Sequence, residues 1–281
     1  MSLAGQSLWF LVAAACVGVF GLLIGSFLNV VIYRVPNGLS IVSPPSACPS
    51  CGHTIKAYDN IPVLSWVLLR GKCRGCAEPI SKRYPLVEAG TGVAFAGVAL
   101  WSWTGGASAR PSDGAAGILV LIGFLYLAAI SVALGLIDLD TYRLPDAIVL
   151  PGYVVAAALF AVASVITGDY SALLRAAVGM ASLWTAYLLM ALAYPGGMGL
   201  GDVKLAGLLG MFLGWTGWGE LAVGAFAAFL LGGLYSLILL AAGRASRKSG
   251  IPFGPWMLLG AWAGILAGAP LWKGYLALVG L

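Results

Sequence analysis

The sequence predicts an all-α polytopic membrane protein: about eight transmembrane helices, with a small cytoplasmic zinc-binding domain between the first two. Three observations carry that expectation. Of 281 residues, 61% are hydrophobic and only 9% charged, with a mean hydropathy of +0.98, far outside the range of soluble domains. Apolar runs long enough to cross a bilayer recur along the chain. Between the first two runs lies a polar, basic stretch with two Cys-x-x-Cys pairs, Cys48/Cys51 and Cys73/Cys76.

Taken in order, 1–33 is a first transmembrane helix, 34–84 the zinc-binding domain and 85–281 a transmembrane bundle. The first apolar run, 8–33, has no basic region before it and no small-residue cleavage site after it, so it reads as a retained span. Near its end, Gly25-Ser26-Phe27-Leu28-Asn29 brings polar groups to the membrane boundary. Asn29 is expected to hydrogen-bond a neighbouring helix or to touch substrate.

The 34–84 segment carries seven Lys or Arg against Asp59 and Glu78. Four thiolates in two CxxC pairs, 21 residues apart, match tetrahedral Zn²⁺, and so small and polar a domain depends on the metal to fold. Two disulfides are the alternative. A loop this basic belongs in the cytoplasm, however, where thiols stay reduced. Cys16, inside the first run, reads as a packing residue.

Later spans are expected at 85–104, 116–137, 147–167, 173–194, 202–215, 221–242 and 252–271. Glu88 lies just inside the second, either pairing with Lys82 or Arg83 at the interface or taking part in chemistry. The 202–215 run is short for a bilayer. Gly21/Gly25, Gly210/Gly214 and Gly260/Gly264 have the GxxxG spacing that lets helices approach closely. With eight spans, 12 of the 15 Lys and Arg fall on the zinc-loop side, leaving Arg110, Arg175 and Lys273 on the other. That asymmetry makes the zinc-loop side cytoplasmic. The net charge of +5 is thus a topology signal and not a sign of nucleic-acid binding.

The same layout brings two acidic positions to one face. Asp202 stands in Gly199-Leu200-Gly201-Asp202-Val203-Lys204, and Asp138 heads the cluster Asp138, Asp140 and Asp146 after the third span. Carboxylates at a bilayer edge are costly, and so are usually functional. Two brought together across helices can share one proton, as in aspartic proteases. Gly199 and Gly201 would let an extended backbone come close. Other readings stay open: a proton or cation relay in a transporter, ion pairs with Arg143 and Lys204, or Asp140 or Asp146 as the operative acid. Asp146 also suits an N-cap, and Lys204 an anchor or a substrate contact.

The chain resembles the bacterial type IV prepilin peptidases of the GxGD membrane aspartic protease family. The resemblance runs from Gly25 to about residue 240. It rests on Gly25–Asn29 with Arg34-Val35-Pro36, the CxxC pairs, Arg83-Tyr84-Pro85-Leu86-Val87-Glu88, Asp138 with Leu144-Pro145-Asp146, and Gly199–Leu205. It implies that Asp138 and Asp202 cleave the basic leader of prepilins or pseudopilins at the cytoplasmic face of the bacterial inner membrane. It implies further that the new N-terminus is methylated from S-adenosylmethionine. Glu88 is the candidate for that second activity, and the zinc is structural. The partners implied are prepilin-like substrates and membrane lipid. A peptidase lacking the methylating half and a carboxylate-relay transporter are the alternative functions.

Overall fold

The computed structural model describes residues 3–106, 114–194, 197–244 and 250–280. Arg110, Asp113, Pro195, Gly196, Arg247 and Lys248 lie outside the described residues. Among those described, the long elements are all helices: α1 Leu3–Arg34, the short α2 Leu64–Leu68, α3 Arg83–Trp103, α4 Ala115–Thr141, α5 Asp146–Thr167, α6 Ser171–Ala193, α7 Leu200–Thr216, α8 Trp218–Ala241 and α9 Gly254–Leu278. Seven are long and apolar enough to cross a membrane; α2 and the 17-residue α7 are the others. The chain forms two compact units, residues 1–100 with 125–133, and residues 101–124 with 134–281.

In the first unit, α1 and α3 cross at glycines. A Cβ built on Gly21 would lie 2.7 Å from the Phe95 Cβ, and one on Gly25 2.7 Å from the Glu88 Cα. The loop between these helices holds a single 3₁₀ turn at Ala57–Asp59, α2, and the two cysteine knuckles.

The second unit is built around α7. Val203 and every residue from Leu205 to Trp215 are buried, as expected of a helix that is apolar all round. Its neighbours are α5, α6, α8 and α9, so protein rather than lipid surrounds it and its length need not match the bilayer. Gly210 and Gly214 face Gly179 and Ala176 of α6, while Gly260 and Gly264 of α9 face Ala228 and Gly224 of α8. The pairs Gly21/Gly25, Gly210/Gly214 and Gly260/Gly264 therefore each sit at a helix crossing. Phe124, Phe160, Phe212 and Trp215 fill the centre, with Phe160 stacked on Trp215 at 4.3 Å between centroids.

Two helix ends shape the site. The last turn of α4 closes at Tyr142, left-handed at φ 56°, whose N–H donates to the Asp138 carbonyl at 2.9 Å. Pro145 then takes the N-cap of α5 at φ −63°, a value its ring enforces. Extended Gly199 is the N-cap of α7.

Candidate active site

Asp138, in the last turn of α4, is only 4% exposed. Its Oδ2 accepts the N–H of Gly254, the first residue of α9, at 3.0 Å. Asp202 is in the first turn of α7, and its Oδ2 accepts the Gly199 N–H at 3.1 Å. That bond is half of a capping box, since Gly199 has no side chain to return one. Each carboxylate thus has one oxygen held by a glycine amide. The two lie within electrostatic range of each other. Leu144 joins their surroundings: its Cδ2 is 3.2 Å from the position of a Cβ on Gly254, and its Cβ 3.2 Å from that of a Cβ on Gly201. Glycine at 201 and 254 lets α7 and α9 close on the α4–α5 connection.

A second fastening lies two residues further along α7. Lys204 Nζ donates to both Asp146 carboxylate oxygens at 2.8 Å, and the Tyr153 hydroxyl donates to the Lys204 carbonyl at 2.5 Å. Asp146 therefore does not cap α5. Pro145 holds the cap position, and the Asp146 carboxylate is spent on Lys204. Lys204 in turn points to the α4–α5 connection, as expected of a residue two positions from Asp202 on a helix.

In the first unit, Asn29 Nδ2 donates to the Tyr84 carbonyl at 3.2 Å, tying α1 to the start of α3. Glu88, 8% exposed, accepts the Val63 N–H on Oε2 at 2.7 Å. Val63 has φ 61° and ψ −47°, and the Leu64 N–H bonds the Pro62 carbonyl at 2.6 Å across it. This is a γ-turn of the rarer hand, strained for a β-branched residue. Glu88 thus holds a loop bend, and Gly25 packs against the Glu88 backbone.

The four loop cysteines converge as their spacing requires. Their sulfurs all lie within 4.8 Å of one another, with Cys48–Cys76 at 3.8 Å and Cys51–Cys73 at 4.0 Å. A tetrahedral ion with Zn–S bonds of about 2.3 Å would set sulfurs about 3.8 Å apart. The donor set fits. The knuckles repeat one pattern: Cys48 N–H to the His53 carbonyl at 2.9 Å, and Cys73 N–H to the Glu78 carbonyl at 2.8 Å. Amides of Cys51 and then Ser50 draw the Cys48 thiol down to about 7, while the Cys76 thiol, despite a backbone bond at Glu78, is pushed up to about 12 by the Cys51 sulfur; thiolates at all four positions require the charge of the metal itself. His53 is exposed and lies outside this cluster.

Two family models match the chain: the bacterial peptidase A24 N-terminal domain over residues 19–102, and the type IV leader peptidase family over residues 124–237. The chain belongs to the type IV leader peptidase family. It is 38% identical to a prepilin leader peptidase/N-methyltransferase of Pseudomonas putida, covering 93% of each chain. It is 40% identical to one of Myxococcus xanthus, covering 91% of this chain and 73% of the relative. A third, of Neisseria gonorrhoeae, is 34% identical over 93% of both. No solved structure matches. Family membership and the seven apolar helices together make this a multi-pass membrane protein.

Sequence reasoning missed Gly254 and Tyr153, and it quoted Leu144 only within Leu144-Pro145-Asp146, with no role of its own. Gly254 lies 116 residues from Asp138, and the one local signal was Pro252-Phe253-Gly254-Pro255 at a helix start. Tyr153 reads as an ordinary apolar position.

Proposed function

We propose that this chain is a prepilin leader peptidase and N-methyltransferase, with Asp138 and Asp202 as the catalytic pair. What supports the pair is that the end of α4 and the start of α7 bring two carboxylates within electrostatic range, each fixed by a glycine amide. Two carboxyls sharing one proton divide the work. The ionised one takes a proton from water as the water oxygen attacks the scissile carbonyl carbon, and the protonated one gives its proton to the carbonyl oxygen. Collapse of the gem-diol passes a proton to the leaving nitrogen, breaks the C–N bond and restores the one-proton pair.

Gly199 leaves the start of α7 without a side chain for an extended substrate backbone to meet, while Gly201 is packed on Leu144 and Lys204 is paired with Asp146. With α7 counted as a crossing helix, the excess of Lys and Arg in the loops supports the cytoplasmic face of the inner membrane for this end. There a basic leader is held by anionic headgroups while its apolar helix stays in the bilayer. Asn29 holds the start of α3 through the Tyr84 carbonyl.

Cys48, Cys51, Cys73 and Cys76 hold Zn²⁺, which supplies a structural cross-link with a closed ligand shell. S-adenosylmethionine, when bound, supplies an electrophilic methyl group for the new α-amine. Glu88 belongs to that half of the protein. Its carboxylate meets the Val63 amide and its backbone packs against Gly25, contacts that do not by themselves compose a nucleoside site.

The test is mass spectrometry of a prepilin co-expressed with wild type or Asp202→Asn. Loss of the leader and gain of one methyl group in the wild type alone is the expected result. An uncut prepilin beside well-folded wild type would refute it.

A further inference from the structure

We infer that Gly254, at the start of α9, is a positioning residue of the active site: its amide and its missing side chain together hold the Asp138 carboxylate in place. This rests on the proposal that Asp138 is half of the catalytic pair. It extends the site to a helix beyond the stretch matched by the leader peptidase family model, which ends at residue 237.

Three observations converge. The Gly254 N–H donates to Asp138 Oδ2 at 3.0 Å. First-turn amides of a helix have no intrahelical partner and favour negative charge, so this one is available to a carboxylate. Next, a Cβ built on Gly254 would lie 2.7 Å from Asp138 Oδ2 and 3.2 Å from its Cγ. The carboxylate occupies the space a side chain would need. Finally, the start of α9 is itself fixed. Phe253 packs against Phe229 of α8 at 5.4 Å between centroids and against Tyr187 of α6 at 6.4 Å. It also lies over Gly232, where a Cβ would come within 2.8 Å of its ring. Pro255, in the first turn, presets the helix entry and offers no competing N–H. The aromatic anchor sets the glycine, and the glycine sets the carboxylate.

Asp202 takes its amide from three residues away on its own helix. Asp138 depends on a helix 116 residues distant. Its placement is thus the one that a change in α9 can disturb without touching either aspartate.

The experiment compares wild type with Gly254→Ala as purified full-length protein in detergent, measuring kcat and KM for a prepilin substrate. Displacing a reacting group by about 1 Å costs on the order of 100-fold, so kcat is expected to fall by about 10- to 100-fold. KM is expected to stay nearly unchanged, because substrate binding does not use this carboxylate's alignment. Wild-type kcat in the variant, or a loss confined to KM, would overturn the inference. Failure of the wild type to cleave would instead refute the function proposed above.

A thermal cycle covers a variant that folds poorly. Gly254→Ala is expected to lower the melting temperature, and most of that drop is expected to vanish in an Asp138→Ala background, where the clashing carboxylate is gone. An equal drop in both backgrounds would overturn the inference.

Discussion

The two zinc knuckles put different amino acids at the same strained position. In each, the residue after the second cysteine is left-handed: Gly52 at φ 70° and Ala77 at φ 59°. A Cβ built on Gly52 meets nothing within 4 Å, so Gly52→Ala adds backbone strain without a clash. An L-residue in that region costs about 1–2 kcal/mol. Ala77→Gly removes the strain but returns about 0.5–1 kcal/mol in unfolded-chain entropy, leaving a net gain of up to about 1 kcal/mol. Metal binding and folding of such a domain are one equilibrium, and about 1 kcal/mol is about fivefold in an equilibrium constant. Chelator competition on the purified full-length protein reads it directly. The same two effects act in reverse in Gly52→Ala, so apparent zinc affinity should fall by up to about fivefold there and rise by up to about fivefold in Ala77→Gly. Tighter binding in Gly52→Ala, or weaker binding in Ala77→Gly, would refute the strain argument.

Asp59 is 7% exposed at its side chain and accepts three bonds from Arg74, the shortest 2.6 Å. The Arg74 guanidinium holds its carboxyl below the usual range. A depressed native value stabilises the folded state above the unfolded value of about 3.9 and is lost as pH falls through the native value. The stability gap between wild type and Asp59→Asn should therefore be flat above about pH 5 and close in acid; a gap that widens in acid contradicts this. Gly210→Ala drives a Cβ into the Gly179 backbone and should cost about 1–3 kcal/mol. Gly233→Ala, with nothing within 4 Å, should cost nothing measurable in the same melting assay. Lys204→Met breaks a pair whose side chains are 36% and 53% exposed. It should therefore cost no more than about 1 kcal/mol, and a larger loss in thermal melting would show that the pair is not screened by solvent.

Much of this was readable from local pattern. The apolar runs gave the long helices, and the CxxC spacing gave the sulfur cluster, because turn geometry and ligand count are set within a few residues. GxxxG marked crossings without naming partners: Gly210 meets Gly179, which belongs to no such motif. What stayed hidden depended on distant chain. The amide on Asp138 comes from Gly254, and nothing near Asp138 announces it. Glu88 carried two readings, surface pairing or chemistry, and its carboxylate meets the amide of a strained valine that no propensity would put there. Asp146 had the residue type of a cap, but the proline before it and Lys204 across the fold competed for the two roles. The short 202–215 run looked like a poor span because its pattern records burial, and burial by protein and by lipid read alike in sequence.

The most direct measurement is prepilin cleavage by purified protein carrying Asp138→Asn, Asp202→Asn, Asp140→Asn or Asp146→Asn, each checked for wild-type melting. Cleavage abolished in the first two and retained in Asp140→Asn is the expected result, with Asp146→Asn reduced only as far as the loss of its Lys204 contact requires. Retained cleavage in either Asp138→Asn or Asp202→Asn would contradict the assignment of these two carboxylates as the catalytic pair.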